Sequence, residues 1–165
     1  MIPEDFGIES TRTGLLIDTN LLVLYAVGTV NRGRIETFKR TSKYTEEDYD
    51  LLVWVLGKFK RLYTVAHVLA EVSNLIDLSG PERLQARLIL KATISLLDEV
   101  NMRSSLAAED NLYQDLGLVD AAIGAVARAN SCAVLTDDLG LYLRLSHDKV
   151  TVFNFTHLLA QAGRL

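Results

Sequence analysis

Two short, unbroken apolar runs, Leu15-Leu16-Ile17 and residues 132–135, constrain this chain more than any other feature. Each is too short for a core helix and neither alternates apolar with polar side chains. Such runs make strands covered on both faces, as in a parallel sheet with helices packed against it. Residues 62–65 and 150–153 add two further short strands.

Helical spacing fills the intervals. One helix is expected over 19–27, ended by Gly28, and a second is opened by the capping-box pair Thr45 and Asp48 and runs through Asp50, Leu51, Trp54 and Val55. Others are expected over 66–78, stopped at Ser79-Gly80, from Pro81 to about 99, over the nearly all-apolar stretch 118–129, and from Thr156 onward. Strands alternating with helices predict right-handed βαβ units and an α/β fold, a three-layer α/β/α sandwich with a central, mostly parallel sheet. With two prolines and no linker, residues 1–165 read as a single domain, and residues 1–12 as a loose polar lead-in.

The chain carries 17 Lys and Arg against 21 Asp and Glu, a net charge of -4, so no basic field spans its surface and any nucleic-acid contact must be local. Its lone cysteine, Cys132, excludes an intrachain disulfide and cysteine-rich zinc sites, and suits a reducing cytoplasm. The first residues carry acids where a secretory signal carries a basic end, and the apolar stretch 14–28 is interrupted by Asp18, so neither secretion nor a membrane span is expected.

Four acids stand inside apolar runs: Asp18, Glu71, Asp120 and Asp138. Burying a carboxylate without a partner costs several kcal/mol, so each needs a reason. Asp18 and Asp138 fall at or just past the carboxyl ends of strands, where open α/β sheets place ligands, while Glu71 and Asp120 lie on helices able to aim at the same crevice. Four carboxylates there repel one another unless cations neutralise them, and hard oxygen ligands favour Mg2+ or Mn2+. A two-metal site activates water and stabilises both oxygens of an in-line phosphoryl displacement, which points to phosphodiester hydrolysis. Taken singly, each acid also has a structural role open to it: Asp18 as a helix cap, Glu71 as a solvated residue, Asp137 or Asp138 as a cap for the helix that follows.

The segments Leu16-Ile17-Asp18-Thr19-Asn20, residues 117–123 and residues 134–139, in that order, resemble the PIN-domain ribonucleases, a family that includes the VapC-type toxins of toxin and antitoxin pairs. The resemblance runs from Leu15 to about Leu159. It implies Asp18, Glu71, Asp120 and Asp138 as acidic ligands for one or two Mg2+ or Mn2+ ions, supported by Asn20 and Thr136. The family's pattern of Thr, any residue, Asp favours Asp138 over its neighbour Asp137. It also implies an endoribonuclease leaving 5′-phosphate and 3′-hydroxyl ends, an antitoxin partner and a homodimer. Asp18 and Glu71 are further apart in sequence than in compact toxins, which predicts a helical insertion over 28–62.

That insertion carries a net charge of +3 against -7 for the remainder, making Arg32, Arg34, Lys39, Arg40 and Lys43 candidate RNA contacts, with a solvated helical face as the plainer alternative. His67, four residues before Glu71, is expected to be structural. Trp54, Tyr49, Phe59 and Tyr63 could stack bases, but Trp54 and Phe59 are expected to pack the inserted helices and Tyr63 to lie close to the second strand, and Cys132 to be a small buried hydrophobe. The rival functions are a PIN-like scaffold without turnover and a metal-dependent nuclease acting on DNA.

Overall fold

A computed structural model describes residues 13–164, so the lead-in read at 1–12 lies outside the described residues. The sheet has five strands, β1 (Leu15–Ile17), β2 (Leu62–Thr64), β3 (Asp98–Glu99), β4 (Ala133–Thr136) and β5 (Val152–Asn154), all parallel, in the order β3-β2-β1-β4-β5. Both apolar runs lie centrally: β1 pairs with β2 on one side and β4 on the other, and every residue of β1 and β4 is buried. Helices cover the sheet in a three-layer α/β/α sandwich: α1 (Thr19–Val30), α2 (Glu46–Leu56), α3 (Ala66–Leu75), α4 (Gly80–Leu96), the one-turn α5 (Ser104–Ala107) and α6 (Tyr113–Leu116), α7 (Leu118–Asn130), α8 (Leu139–His147) and α9 (Phe155–Gln161).

Most expected elements are present, with informative differences. Gly28 does not end α1, which continues to Val30. Its missing side chain makes room for a ring, since a Cβ there would lie 2.3 Å from Tyr49 Cδ2. The two helices on either side of Ser79 are shorter than expected, α3 stopping at Leu75 and α4 at Leu96. The residues after α4 turn into β3, an edge strand whose two acids show no apolar pattern to announce it. The capping box forms as expected: the Thr45 hydroxyl accepts from Asp48 N, and the Asp48 carboxylate accepts from Thr45 N at 2.9 Å.

Parallel pairing aligns the carboxyl ends of β1 and β4. Ile17 is in register with Leu135, and the Asp18 amide donates to Leu135 O at 3.0 Å, so the residues that follow the two strands emerge side by side. Gly117, with φ at +90°, makes the turn into α7 that a residue with a side chain would enter only under strain. Behind that turn Ala121, Ala122, Ile123 and Gly124 are buried, so the first turn of α7 is pinned with Asp120 on it. Among the described residues no helix is long and apolar enough to cross a membrane.

Candidate active site

A cleft of about 340 Å3 opens at the carboxyl edge of β1 and β4, and Asp18, Glu71, Asp120 and Asp138 all line it, with Thr19 and Asn20. Residues far apart in sequence are thus brought to one crevice by β1, α3, the start of α7 and the end of β4. Asp18 is the most enclosed, 5% exposed, and its two oxygens accept from Thr19 N and Thr136 Oγ1, each at 2.6 Å. Burial nevertheless pushes its pKa up to about 6, with Asp137 and Asp138 adding to the rise and the Thr136 hydrogen bond opposing it. Thr136, fully buried at the end of β4, also accepts from Asp138 N at 2.9 Å, so one hydroxyl ties the two strand-end acids together.

Asp120 has the clearest electrostatic signature. Burial, then the charges of Asp18, Asp138 and Glu71, push its carboxyl up to about 7. No described residue donates a hydrogen bond to it, so nothing offsets that repulsion. Glu71 Oε2 accepts from Thr19 Oγ1 at 2.7 Å, a pairing across 52 residues that the sequence did not announce. Asp138 is exposed at the lip, where its Oδ1 caps α8 by accepting from Leu141 N at 2.9 Å. Asp18 likewise caps α1, so the capping roles and the cleft-lining positions coincide in both residues.

Asp137 takes a different place. Its side chain is 1% exposed and accepts from Asn20 Nδ2 at 3.1 Å, Lys43 Nζ at 2.5 Å and the Tyr44 hydroxyl. Burial works to raise its pKa, but these three donors together hold it below the usual carboxylate range. Asp137 is therefore spent on anchoring the 41–45 segment, whereas Asp138 faces the cleft. Asn20 both lines the cleft and joins this anchor.

The donor set suits a hard divalent cation: four carboxylates, all oxygen, in one cleft, where the charges of Asp18, Asp138 and Glu71 act against that of Asp120. They do not form a closed shell as they stand, for no three His, Cys, Asp or Glu side chains among the described residues converge on one ion position. Uncompensated carboxylates separate, and here each end of the set has another attachment, Glu71 to Thr19 and Asp138 to the start of α8.

The candidate RNA contacts are largely used internally. Arg32 pairs with Asp50 at 2.6 Å and Glu46 at 3.4 Å, Arg34 with Glu82 at 2.9 Å, and Lys43 with Asp137. Lys39 and Arg40 are exposed and pair with no described residue. Of the aromatic candidates, Tyr63 lies on β2 as expected, beneath Arg61, while Phe59 meets Phe153 of β5 edge-on, Lys58 lies over Trp54, and Tyr49 stacks on Tyr25 beneath Arg32. His67 Nε2 bonds Ser104 Oγ at 2.8 Å, outside the cleft lining, and Cys132 is buried.

Five parallel strands in this order, wrapped by helices and with acids at the central strand ends, define a PIN-like α/β/α fold. The chain is similar in structure to a chain of the crystal structure of VapBC2 from Rickettsia felis bound to a DNA fragment from their promoter. The match has a TM-score of 0.56 and 18% identity, and covers 86% of this chain and 98% of that one. No protein-family model matches the sequence, and no curated protein matches it.

Proposed function

We propose that the chain is a metal-dependent endoribonuclease in which Asp18, Glu71, Asp120 and Asp138 hold one or two Mg2+ or Mn2+ ions. The observation that carries this reading is the shared cleft in which burial, and then the charges of three other acids, push the Asp120 carboxyl up to about 7. A fold that keeps a repulsive set of this kind is one with a use for it. When bound, such ions activate water and stabilise the charge that develops in phosphodiester displacement.

The protein's own part is positional. Thr136 holds Asp18 and the Asp138 backbone, Thr19 holds Glu71, and the Asp137 anchor fixes Asn20 and the 41–45 segment at the rim. Near neutral pH Asp120 shares a proton with the surrounding water, and a cation would displace that proton and draw the set together.

Within this reading, the resemblance to VapC-type toxins and the VapBC2-like fold support a toxin of a toxin and antitoxin pair with an antitoxin partner, and the resemblance alone adds a homodimer and a cytoplasmic setting. The test is incubation of purified protein with end-labelled RNA and DNA in Mn2+, Mg2+ or EDTA, beside Asp120→Asn. Metal-dependent RNA cleavage lost in the variant supports the assignment. DNA cleavage alone would move the substrate class, and no cleavage by folded, metal-binding protein would favour the scaffold alternative. Toxicity on expression, relieved by Asp18→Ala, would separate a toxin from a processing nuclease.

A further inference from the structure

An acidic cleft repels a polyanion, so a nuclease built on it needs cations outside the cleft to hold the strand. The inserted segment supplies fewer than its charge suggests, because Arg32, Arg34 and Lys43 are held in internal ion pairs. A second cavity, of about 180 Å3, lies between α3 and α4, and Arg83 and Arg87 line it with Ser73 and Asn74. The two arginines stand one turn apart on α4. Neither is in an ion pair with a described residue, and the side chains of Ser73 and Asn74 are equally uncommitted. Like charges at this spacing destabilise a helix, a cost that an anion between them removes. Asp77 also lines the cavity but reaches neither guanidinium at ion-pair distance, so the lining keeps an excess of positive charge.

The cavity adjoins the candidate active site through one helix. α3 presents Glu71 to the acidic cleft and Ser73 and Asn74 to the arginine cavity. Glu71 and Asn74 stand three positions apart on α3, a spacing that makes them neighbours on the helix, so the two sites adjoin.

We infer that Arg83 and Arg87, with Ser73 and Asn74, form a phosphate-binding subsite that holds the RNA backbone a few nucleotides from the scissile bond. This rests on the nuclease reading. Arginine forks suit phosphate oxygens, and a hydroxyl and an amide complete the donor set. Such a contact positions the strand without reading its sequence.

The test is steady-state cleavage of a single-stranded RNA by wild type, R83Q/R87Q and K91Q, over a range of salt concentrations. Lys91 is exposed on α4, one turn beyond Arg87 and outside the cavity lining, so K91Q measures diffuse charge. R83Q/R87Q should raise KM by about tenfold or more, as expected for loss of charge-assisted hydrogen bonds, with kcat within about twofold. The logarithmic salt dependence of kcat/KM should become shallower by about 0.7 for each phosphate no longer neutralised. Both arginines are exposed, so thermal unfolding should hardly move. Unchanged KM and salt slope in R83Q/R87Q overturn the subsite and leave the nuclease reading standing, as does an equal loss in K91Q. Failure of the wild type to cut or bind RNA overturns both.

Discussion

Replacing Asp120 with asparagine should make the metal-free protein more stable, and by an amount that depends on pH. Asparagine keeps the shape of the side chain and removes a charge that burial first, and then Asp18, Asp138 and Glu71, disfavour, and no described donor loses a partner. Raising a carboxyl from 3.8 to about 7 corresponds to about 4 kcal/mol for a wholly buried group. Partial exposure and solvent screening reduce this to roughly 2 kcal/mol. Because the folded pKa lies above the unfolded one, the native state keeps a proton that the unfolded chain releases, and stability falls as pH rises from about 4 to about 7. The full penalty is present at pH 8 and absent near pH 4. Thermal unfolding in EDTA should therefore place Asp120→Asn roughly 4–8 °C above wild type at pH 8 for a domain of this size, with little difference near pH 4. Millimolar Mn2+ at pH 8 should raise wild type more than the variant and close the gap. A variant that is less stable than wild type at pH 8, or shifted equally at both pH values, would refute the idea that burial and like charges make the Asp120 carboxylate unfavourable in the cleft.

Three further substitutions test the supports of the cleft and the packing beside it. Thr136→Val removes the donor to Asp18 and the acceptor of Asp138 N, and should cost about 1–3 kcal/mol in urea unfolding while lowering kcat. Tyr44→Phe takes one of three donors from buried Asp137. It should destabilise the fold by about 1–2 kcal/mol, a loss that disappears when Asp137→Asn is combined with it in a double-mutant cycle. Gly28→Ala, favourable by helix propensity, should instead destabilise by about 1–3 kcal/mol because its Cβ meets the Tyr49 ring. Tyr49→Ala in the same chain should relieve that clash.

The layered fold was legible because its two central strands are buried on both faces and so have nothing polar to disguise them. β3 was not, since Asp98 and Glu99 sit on an edge strand and carry no apolar pattern. The four cleft acids stood out as charges inside apolar runs. Their hydrogen-bond partners did not, because Thr19 reaches Glu71 and Thr136 reaches Asp18 across 52 and 118 residues. The choice between Asp137 and Asp138 could be argued from a pattern, but the physical distinction between them depends on Lys43 and Tyr44, more than ninety residues earlier in the chain. Net charge carries no such detail either: counting residues 28–62 as basic could not reveal that Arg32 and Arg34 pair with Glu46, Asp50 and Glu82.

The most direct test of the central claim is anomalous diffraction from crystals soaked in Mn2+. One or two manganese peaks are expected in the cleft, ligated by carboxylate oxygens of Asp18, Glu71, Asp120 and Asp138, with Asp137 still bound to Lys43 and Tyr44. Crystals in which the four carboxylates stay apart and no manganese enters the cleft, at concentrations well above those that support other Mn2+ sites, would contradict that claim.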